Sequence, residues 1–187
     1  MYKVYVKSKN EINIKNNIES DYTDKSLKEI SKKAWTYLFD ILKNDYNIEI
    51  SKKDIIYNNN KKPYKKENKK YFNISHSRNM IAIVISDLEC GVDIEYIDYT
   101  KDISKLLNKV LSQKELEMYN ISKIKQEFFY EIWTKKEAYY KMLGTGLVYN
   151  NLNKDINNNC LKSYILEDKS DKYYISIAQD NVNNEKL

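Results

Sequence analysis

The sequence predicts a mixed α/β fold, and two features lead to that prediction. Apolar residues recur at helical spacing in two long segments, residues 25–43 and 126–143, which indicates two amphipathic helices. Around each helix lie short segments that alternate in polarity or are almost wholly apolar, as strands do. The order strand, helix, strands therefore occurs twice, once in residues 1–88 and once in residues 89–187.

The first half begins with a predicted strand, because apolar residues alternate with polar ones from residue 2 to residue 6. The helix at 25–43 carries Ser26 and Glu29 at the spacing of a capping box, although a residue just upstream could cap it instead. The other predictions for this half are strands at 48–50, 54–57, 71–74 and 80–86, a lysine-rich loop at 58–70 and a turn at 75–79. The strand at 80–86 is nearly all apolar, which is typical of a strand buried on both faces.

The second half begins with an acidic strand at residues 91–97. Strand periodicity places its apolar side chains on one face and Asp93 and Glu95 on the other, about 7 Å apart. The remaining predictions are helices at 101–110, 113–119 and 126–143, strands at 163–166 and 173–178, and a loose end at 179–187. Ser112 and Glu115 form a capping box for the second of these helices.

Composition limits the classes of protein that this chain can be. The 187 residues suffice for one domain or for two small halves with a common core. The net charge of +5 arises from interspersed signs, so it favours anionic partners without requiring nucleic acid. The two cysteines form no disulfide framework, the longest apolar run is too short to span a bilayer, and no secretory core is visible. We therefore expect a cytoplasmic protein without a membrane or nucleic-acid partner.

Two groups of charged residues suggest a metal site. Asp93 and Glu95 repel each other unless a hard cation lies between them, and oxygen ligands favour Mg²⁺ or Mn²⁺. Glu137 and Lys141 are four apart on one helix face, so they could add a third carboxylate and a phosphate-binding ammonium. Each group alone has an ordinary alternative, which is a solvated strand face for the first and a surface ion pair for the second.

His76 is the only histidine of the chain, and Ser75 and Ser77 flank it. A turn that combines two hydroxyls, an imidazole and free backbone N–H groups suits a phosphate. A lone histidine in a turn can equally be structural or without a role. The chain has three glycines, at positions 91, 144 and 146, and in so glycine-poor a sequence each is expected where the backbone requires it.

Three motifs in order resemble the 4′-phosphopantetheinyl transferases, specifically the larger, surfactin-type class. They are Phe72-Asn73-Ile74-Ser75-His76-Ser77, then Gly91-Val92-Asp93-Ile94-Glu95, then Trp133-x-x-Lys136-Glu137-Ala138-x-x-Lys141 with Gly144-x-Gly146-Leu147. The resemblance covers residues 62–147. It implies two similar halves related by a pseudo-twofold, residues 1–88 and 89–187, each with a small, mainly antiparallel sheet packed on a long helix. The active site would lie in their seam.

The resemblance also implies an activity, the transfer of 4′-phosphopantetheine from coenzyme A to a serine of an acyl or peptidyl carrier protein. Asp93, Glu95 and Glu137 would hold Mg²⁺, or Mn²⁺, on the coenzyme A pyrophosphate. Glu137 would also deprotonate the incoming serine, directly or through a water on the metal. Lys141 would stabilise the pyrophosphate oxygens or protonate the departing 3′,5′-ADP.

Three further positions match family contacts to coenzyme A. Lys62, Ser75 and His76 would bind its phosphates, and Lys136 would assist. Lys61 stands where the family often has glycine. Because these phosphate contacts lie in the first half and the metal ligands in the second, one chain could complete the site, and we expect an active monomer.

Two other classes of protein remain open on the sequence. A Mg²⁺-dependent nuclease could use the same carboxylates and lysine, but it would need a broader basic and aromatic groove. A non-catalytic module that binds coenzyme A or a partner could retain the same fold.

Overall fold

The computed structural model describes residues 1–13, 28–65, 70–146 and 152–180. Several sequence predictions lie outside these ranges, namely the Ser26 half of the capping box, the start of the first helix, Leu147 and most of the C-terminal end. The helices are α1 (Glu29–Tyr46), α2 (Ser104–Val110), α3 (Gln113–Ile121) and α4 (Lys125–Leu143). The strands are β1 (Tyr2–Ser8), β2 (Ile55–Tyr57), β3 (Pro63–Lys65), β4 (Tyr71–Ser77), β5 (Met80–Ser86), β6 (Cys90–Tyr96), β7 (Leu161–Asp168) and β8 (Asp171–Gln179).

Two antiparallel three-stranded sheets form the centre of the molecule. The first has the order β1-β5-β4 and the second the order β6-β8-β7, while β2 and β3 form a separate hairpin. This architecture confirms the predicted mixed α/β class with small antiparallel sheets. The division of the chain at residue 88 stays a prediction.

The strand β5 explains how the layers stack, because all of its residues are buried. Ile81, Ile83 and Ile85 pack with α1 in one apolar cluster. Ala82 and Val84, on the opposite face, join β6 and β8 in a second cluster. The strand therefore lies between the first helix and the second sheet, and its predicted burial on both faces is confirmed.

The helix α4 covers the other face of the second sheet, and Gly91 allows it to come close. A Cβ atom at Gly91 would lie 2.1 Å from the Ala138 carbonyl oxygen and 2.5 Å from the Met142 nitrogen. Gly144 ends the helix in the left-handed region, with φ of 65°. The prediction that the backbone requires glycine is thus confirmed at both positions.

Several local predictions for the first half are wrong. Residues 48–50 form no strand, because they have no partner strand. They follow the end of α1 at Asn47, and their apolar side chains pack on the cluster between α1 and β5. The lysine-rich segment contains β3, which pairs with β2. The loop between them holds Lys61 in the left-handed region, with φ of 64°, which is the conformation that glycine adopts most easily. The segment at 75–79 is mostly strand, and the turn is confined to residues 78–79.

The second half follows its predictions more closely. The strands, the long helix and the Ser112–Glu115 capping box all form, with ends shifted by a few residues. No helix in the parts of the chain described above is both long enough and apolar enough to cross a membrane.

Candidate active site

Asp93 is the most deeply buried acid of the site, with only 3% of its surface exposed. It lies on β6, on the face that packs against α4. Its Oδ1 atom accepts hydrogen bonds from Lys141 Nζ at 2.6 Å and from Ser75 Oγ at 2.8 Å. Its Oδ2 atom is buried and has no hydrogen-bond partner among the described residues. Oδ1 of Asp93 is therefore paired with a positive charge, and Oδ2 is available to a ligand.

Glu95 and Glu137 lie next to Asp93, and both are harder to ionise than an ordinary glutamate. Burial raises the pKa of Glu95 to about 7, and the charge of Asp93 adds to the shift. Burial also raises the pKa of Glu137, with further contributions from Asp93 and Glu95, while Lys141 opposes the shift. The structure therefore brings together the three predicted carboxylates and Lys141.

These carboxylates do not converge on a common point. Among the described residues, no three His, Cys, Asp or Glu side chains are arranged so that they could hold a metal ion. Two of the acids instead turn to protein donors, Asp93 to Lys141 and Glu95 to the Ser77 hydroxyl.

Ser75 and His76 point to opposite faces of β4, because side chains alternate along a strand. Ser75 faces Asp93, whereas His76 Nε2 lies 3.4 Å from Ser31 Oγ on α1. Partial desolvation lowers the pKa of His76, and the positive charges of Lys141 and Lys28 act in the same direction. The predicted turn with both hydroxyls and the imidazole around one phosphate is therefore wrong.

Lys62 lies at the site but is already engaged. Its ammonium donates to the Met142 carbonyl at 2.7 Å and pairs with Glu89. Two neighbouring amides, Asn58 Nδ2 and Asn60 Nδ2, donate to the Gly144 carbonyl at 2.9 and 3.0 Å. The loop between β2 and β3 thus caps the end of α4, a role that the sequence did not predict for it.

Lys136 is in a different environment from the one predicted. It is fully buried, and its ammonium donates to the carbonyls of Val110 and Leu152 and to the Glu115 carboxylate. All three of its donors are therefore used inside the protein. The prediction that Lys136 assists coenzyme A binding is corrected to a structural role, because the side chain points away from Asp93 into the contact between α3 and α4.

Clefts flank the end of α4, and Lys62 lines two of them. The smaller one, of about 220 Å³, lies between Lys62, Ile74, Tyr140 and Lys141. The larger one, of about 470 Å³, lies under the β2–β3 hairpin, and none of the three carboxylates lines it. Of these two clefts, the smaller is the one that Lys141 of the charged cluster lines.

Sequence reasoning missed the contribution of Asn73 and Ser77. Both side chains face β6, where Asn73 Oδ1 accepts from the Val92 N–H group and Ser77 Oγ donates to Glu95. Polar residues at 73, 75 and 77 have the period of a strand, so extending the predicted strand to residue 77 would have placed them on one face.

Comparison with known proteins identifies the family of this chain. The model of the 4′-phosphopantetheinyl transferase superfamily matches residues 89–183, just over half of the chain. The chain belongs to the 4′-phosphopantetheinyl transferase superfamily. The match includes all three carboxylates and Lys141, whereas Ser75 and His76 precede it.

Members of the superfamily from several bacteria are similar to this chain. The 4′-phosphopantetheinyl transferase AcpT of Escherichia coli is 41% identical over 95 residues, which is 49% of each chain. The 4′-phosphopantetheinyl transferase HetI of Nostoc sp. is 34% identical over 79 residues, 41% of this chain and 33% of that one. A holo-[acyl-carrier-protein] synthase of Wolbachia pipientis is 39% identical over 74 residues, 35% of this chain and 60% of that one. The matched segment spans about half the length of the Escherichia coli relative and less of the Nostoc one.

Proposed function

We propose that this protein transfers 4′-phosphopantetheine from coenzyme A to a serine hydroxyl of an acyl or peptidyl carrier protein and releases 3′,5′-ADP. The observation that carries the proposal is the buried cluster of Asp93, Glu137 and Lys141 beside Ser75, at the contact between the two sheets. The names of the similar bacterial proteins support the same reaction.

The chemistry assigns a separate role to each charged group. Glu137 accepts the proton of the carrier serine, whose oxygen forms a bond to the phosphorus that bears pantetheine. Its raised pKa lies closer to neutral pH, where a general base is most effective. The bond from that phosphorus to the 3′,5′-ADP oxygen breaks, and Lys141 stabilises the charge that develops there.

A divalent cation, Mg²⁺ or Mn²⁺, is part of the proposal. Asp93, Glu95 and Glu137 would hold it, and the buried Oδ2 atom of Asp93 is an oxygen that still needs a partner. Lys141 pairs with the other oxygen of Asp93, Oδ1, so Oδ2 is the atom that such a cation would meet. When bound, such a cation offsets charge on the pyrophosphate.

Coenzyme A is proposed to lie beside Lys141, with Lys28 as a further positive group and the His76 imidazole as a hydrogen-bonding group toward its phosphates. Met142 and Glu89 take two of the three donors of the Lys62 ammonium, so at most one is left for a phosphate. One chain supplies all these groups, so we propose a monomeric enzyme. We place the reaction in the cytoplasm, since Cys90 and Cys160 are both free thiols.

The test is incubation of the full chain with coenzyme A, Mg²⁺ and apo-forms of an acyl and a peptidyl carrier protein. Intact-mass measurement should show one phosphopantetheine added, and peptide mapping should place it on a serine. EDTA should abolish the product, and excess Mg²⁺ should restore it. No mass change with any carrier would contradict the proposal, and cleavage of DNA or RNA under the same conditions would favour the nuclease alternative.

A further inference from the structure

The edge strands β4 and β6 meet through side chains. Three side chains of β4 accept hydrogen bonds from N–H groups of β6, with donor–acceptor distances of 3.0 to 3.4 Å. The pairs are Asn73 with Val92, Ser75 with Ile94 and Ser77 with Tyr96. Both strands advance by two residues from one pair to the next, so we call this array the side-chain ladder.

The hydrogen-bond pattern of the second sheet explains why these N–H groups are available. At the two ends of β6, Ile97 N–H donates to the Lys172 carbonyl and Asp180 N–H donates to the Glu89 carbonyl. In an antiparallel pair only alternate residues bond to the partner strand. The backbone N–H groups of the odd-numbered residues of β6 therefore point to β8. Those of the even-numbered residues point to β4, where side chains of the ladder accept their hydrogen bonds.

Two pairs of the side-chain ladder have a second function. A hydroxyl can accept one hydrogen bond and donate another. Ser77 Oγ accepts from the Tyr96 N–H group at 3.1 Å and donates to Glu95 Oε2 at 3.0 Å. Ser75 Oγ likewise donates to Asp93. The third pair differs, because the residue before Val92 is Gly91, which has no carboxylate to hold.

We propose that Ser77 is a positioning residue that fixes the Glu95 carboxylate relative to Asp93. The backbone N–H group of Tyr96 orients the hydroxyl, so its single proton is directed at Glu95. Glu95 is only partly buried and also shares a side-chain hydrogen bond with Trp133 on α4. The Ser77 bond is the one that ties its carboxylate to β4, where Ser75 holds Asp93. The effect on turnover rests on the proposed function, whereas the effect on the position of Glu95 does not.

The experiment compares crystal structures of the full-length variants Ser77→Ala, Ser77→Thr and Asn73→Ala. Asn73→Ala is the matched control, because it removes one ladder bond without touching a carboxylate. We expect the Glu95 carboxylate to move in Ser77→Ala, and to keep its place in Ser77→Thr and Asn73→Ala. An unmoved Glu95 in Ser77→Ala, or an equal displacement in Asn73→Ala, would overturn the proposal.

Kinetics separate positioning from general stability. Partners that orient a metal ligand or a reacting group typically change activity by about 10–100-fold. Ser77→Ala should lose about tenfold in kcat with an unchanged KM for coenzyme A, and Ser77→Thr should restore kcat. A kcat that stays at the wild-type value in Ser77→Ala would overturn the link to turnover. If the wild type itself transfers nothing, the proposed function fails, and the crystal structures still decide whether Ser77 positions Glu95.

Discussion

At the scale of single residues, burial decides how Glu137 behaves. The side chain is 8% exposed and lies close to Asp93, so its charged form is disfavoured. Lys141, one helical turn further along α4, partly offsets that effect. The raised pKa of Glu137 lies near neutral pH, and the ionised form of such a group is an effective general base.

We expect Glu137→Gln to remove most of the turnover while the fold stays intact. Glutamine has nearly the same shape but cannot take up the serine proton, and loss of a general base costs about 10²–10⁴-fold. The measurement is kcat at saturating Mg²⁺, with circular dichroism to check folding. Glu131→Gln, on the same helix but paired with Lys135, is the matched control and should keep wild-type activity. A Glu137→Gln variant with half the wild-type kcat would exclude Glu137 as the base.

His76 provides a pH measurement, because it is the only histidine of the chain. Its imidazole resonance in proton NMR should titrate with a midpoint below 6.5, since desolvation and then the charges of Lys141 and Lys28 lower its pKa. Because the folded protein binds a proton at His76 less readily than the unfolded chain does, protonation of His76 lowers the free energy of unfolding. The stability that comes with the neutral imidazole is therefore fully present above pH 6.5 and is lost as the pH falls through the pKa of the folded state.

The variant Lys28→Gln should raise the His76 midpoint by removing one of those charges. Lys32→Gln, one turn further along α1, serves as the control and should leave the midpoint unchanged. A wild-type midpoint at or above 6.5 would show that the imidazole is not in this cationic environment.

At the scale of elements, α4 is held at both its middle and its end. Lys136 ties its middle to α3 and to the segment at Leu152, and the β2–β3 loop caps its last carbonyls. These contacts fix the helix that presents Glu137 and Lys141 to β6. Elements distant in sequence thus set the geometry of the candidate site.

We expect Lys136→Met to destabilise the protein without weakening coenzyme A binding. It leaves Glu115 without its buried partner, and breaking such a pair costs about 3–5 kcal/mol. Lys135→Met is the control, since its more exposed pair with Glu131 contributes about 1 kcal/mol or less. Urea denaturation gives the stability and calorimetry with coenzyme A gives the affinity. A Lys136→Met protein that is stable but binds coenzyme A poorly would restore the original prediction for this residue.

The close contact between β6 and α4 makes Gly91 sensitive to the smallest added group. In Gly91→Ala the new methyl would lie 2.1 Å from the Ala138 carbonyl oxygen, so the helix backbone must move. Such overpacking costs about 1–3 kcal/mol or more, and it should also lower kcat because α4 carries Glu137. In Gly146→Ala the nearest atom lies 3.8 Å away, so only the left-handed backbone costs free energy, about 1–2 kcal/mol. Equal thermal stability of Gly91→Ala and wild type would contradict this packing.

At the scale of the whole molecule, the two sheets share one apolar core. The cluster between them combines Ala82 and Val84 from the first sheet with Val92, Ile94 and Ile175 from the second. Separating the halves would expose both sides of this cluster to water, at a cost of about 25 cal/mol for each Å² of apolar surface.

We therefore expect the fragments 1–88 and 89–187 to be inactive and poorly soluble when made separately, with some activity possible on mixing. The intact chain should sediment as an active monomer, because one chain brings Ser75 and Asp93 together. A fragment that folds alone would show that the shared core is dispensable. Activity confined to a trimer would place the site between chains instead.

The sequence predicted most of the second half and the element faces on which the three carboxylates and Lys141 lie. Asp93 and Glu95 share the predicted strand face, and Glu137 and Lys141 share the predicted helix face. The long helix also has nearly its predicted ends. The first half was harder, because β3 and the last residues of β4 are polar segments whose strand character depends on pairing with β2 and β5.

The sequence by itself determined which side chains share a face, because the periods of helix and strand are local properties of the backbone. Only the tertiary structure decided what those side chains contact. Lys62 reaches a carbonyl 80 residues further along the chain, and Lys136 reaches one 26 residues before it. Such partners depend on how the elements pack, and a long flexible side chain can turn toward several of them. Spacing therefore located the carboxylates, whereas packing assigned Lys136 to the interior and Ser77 to Glu95.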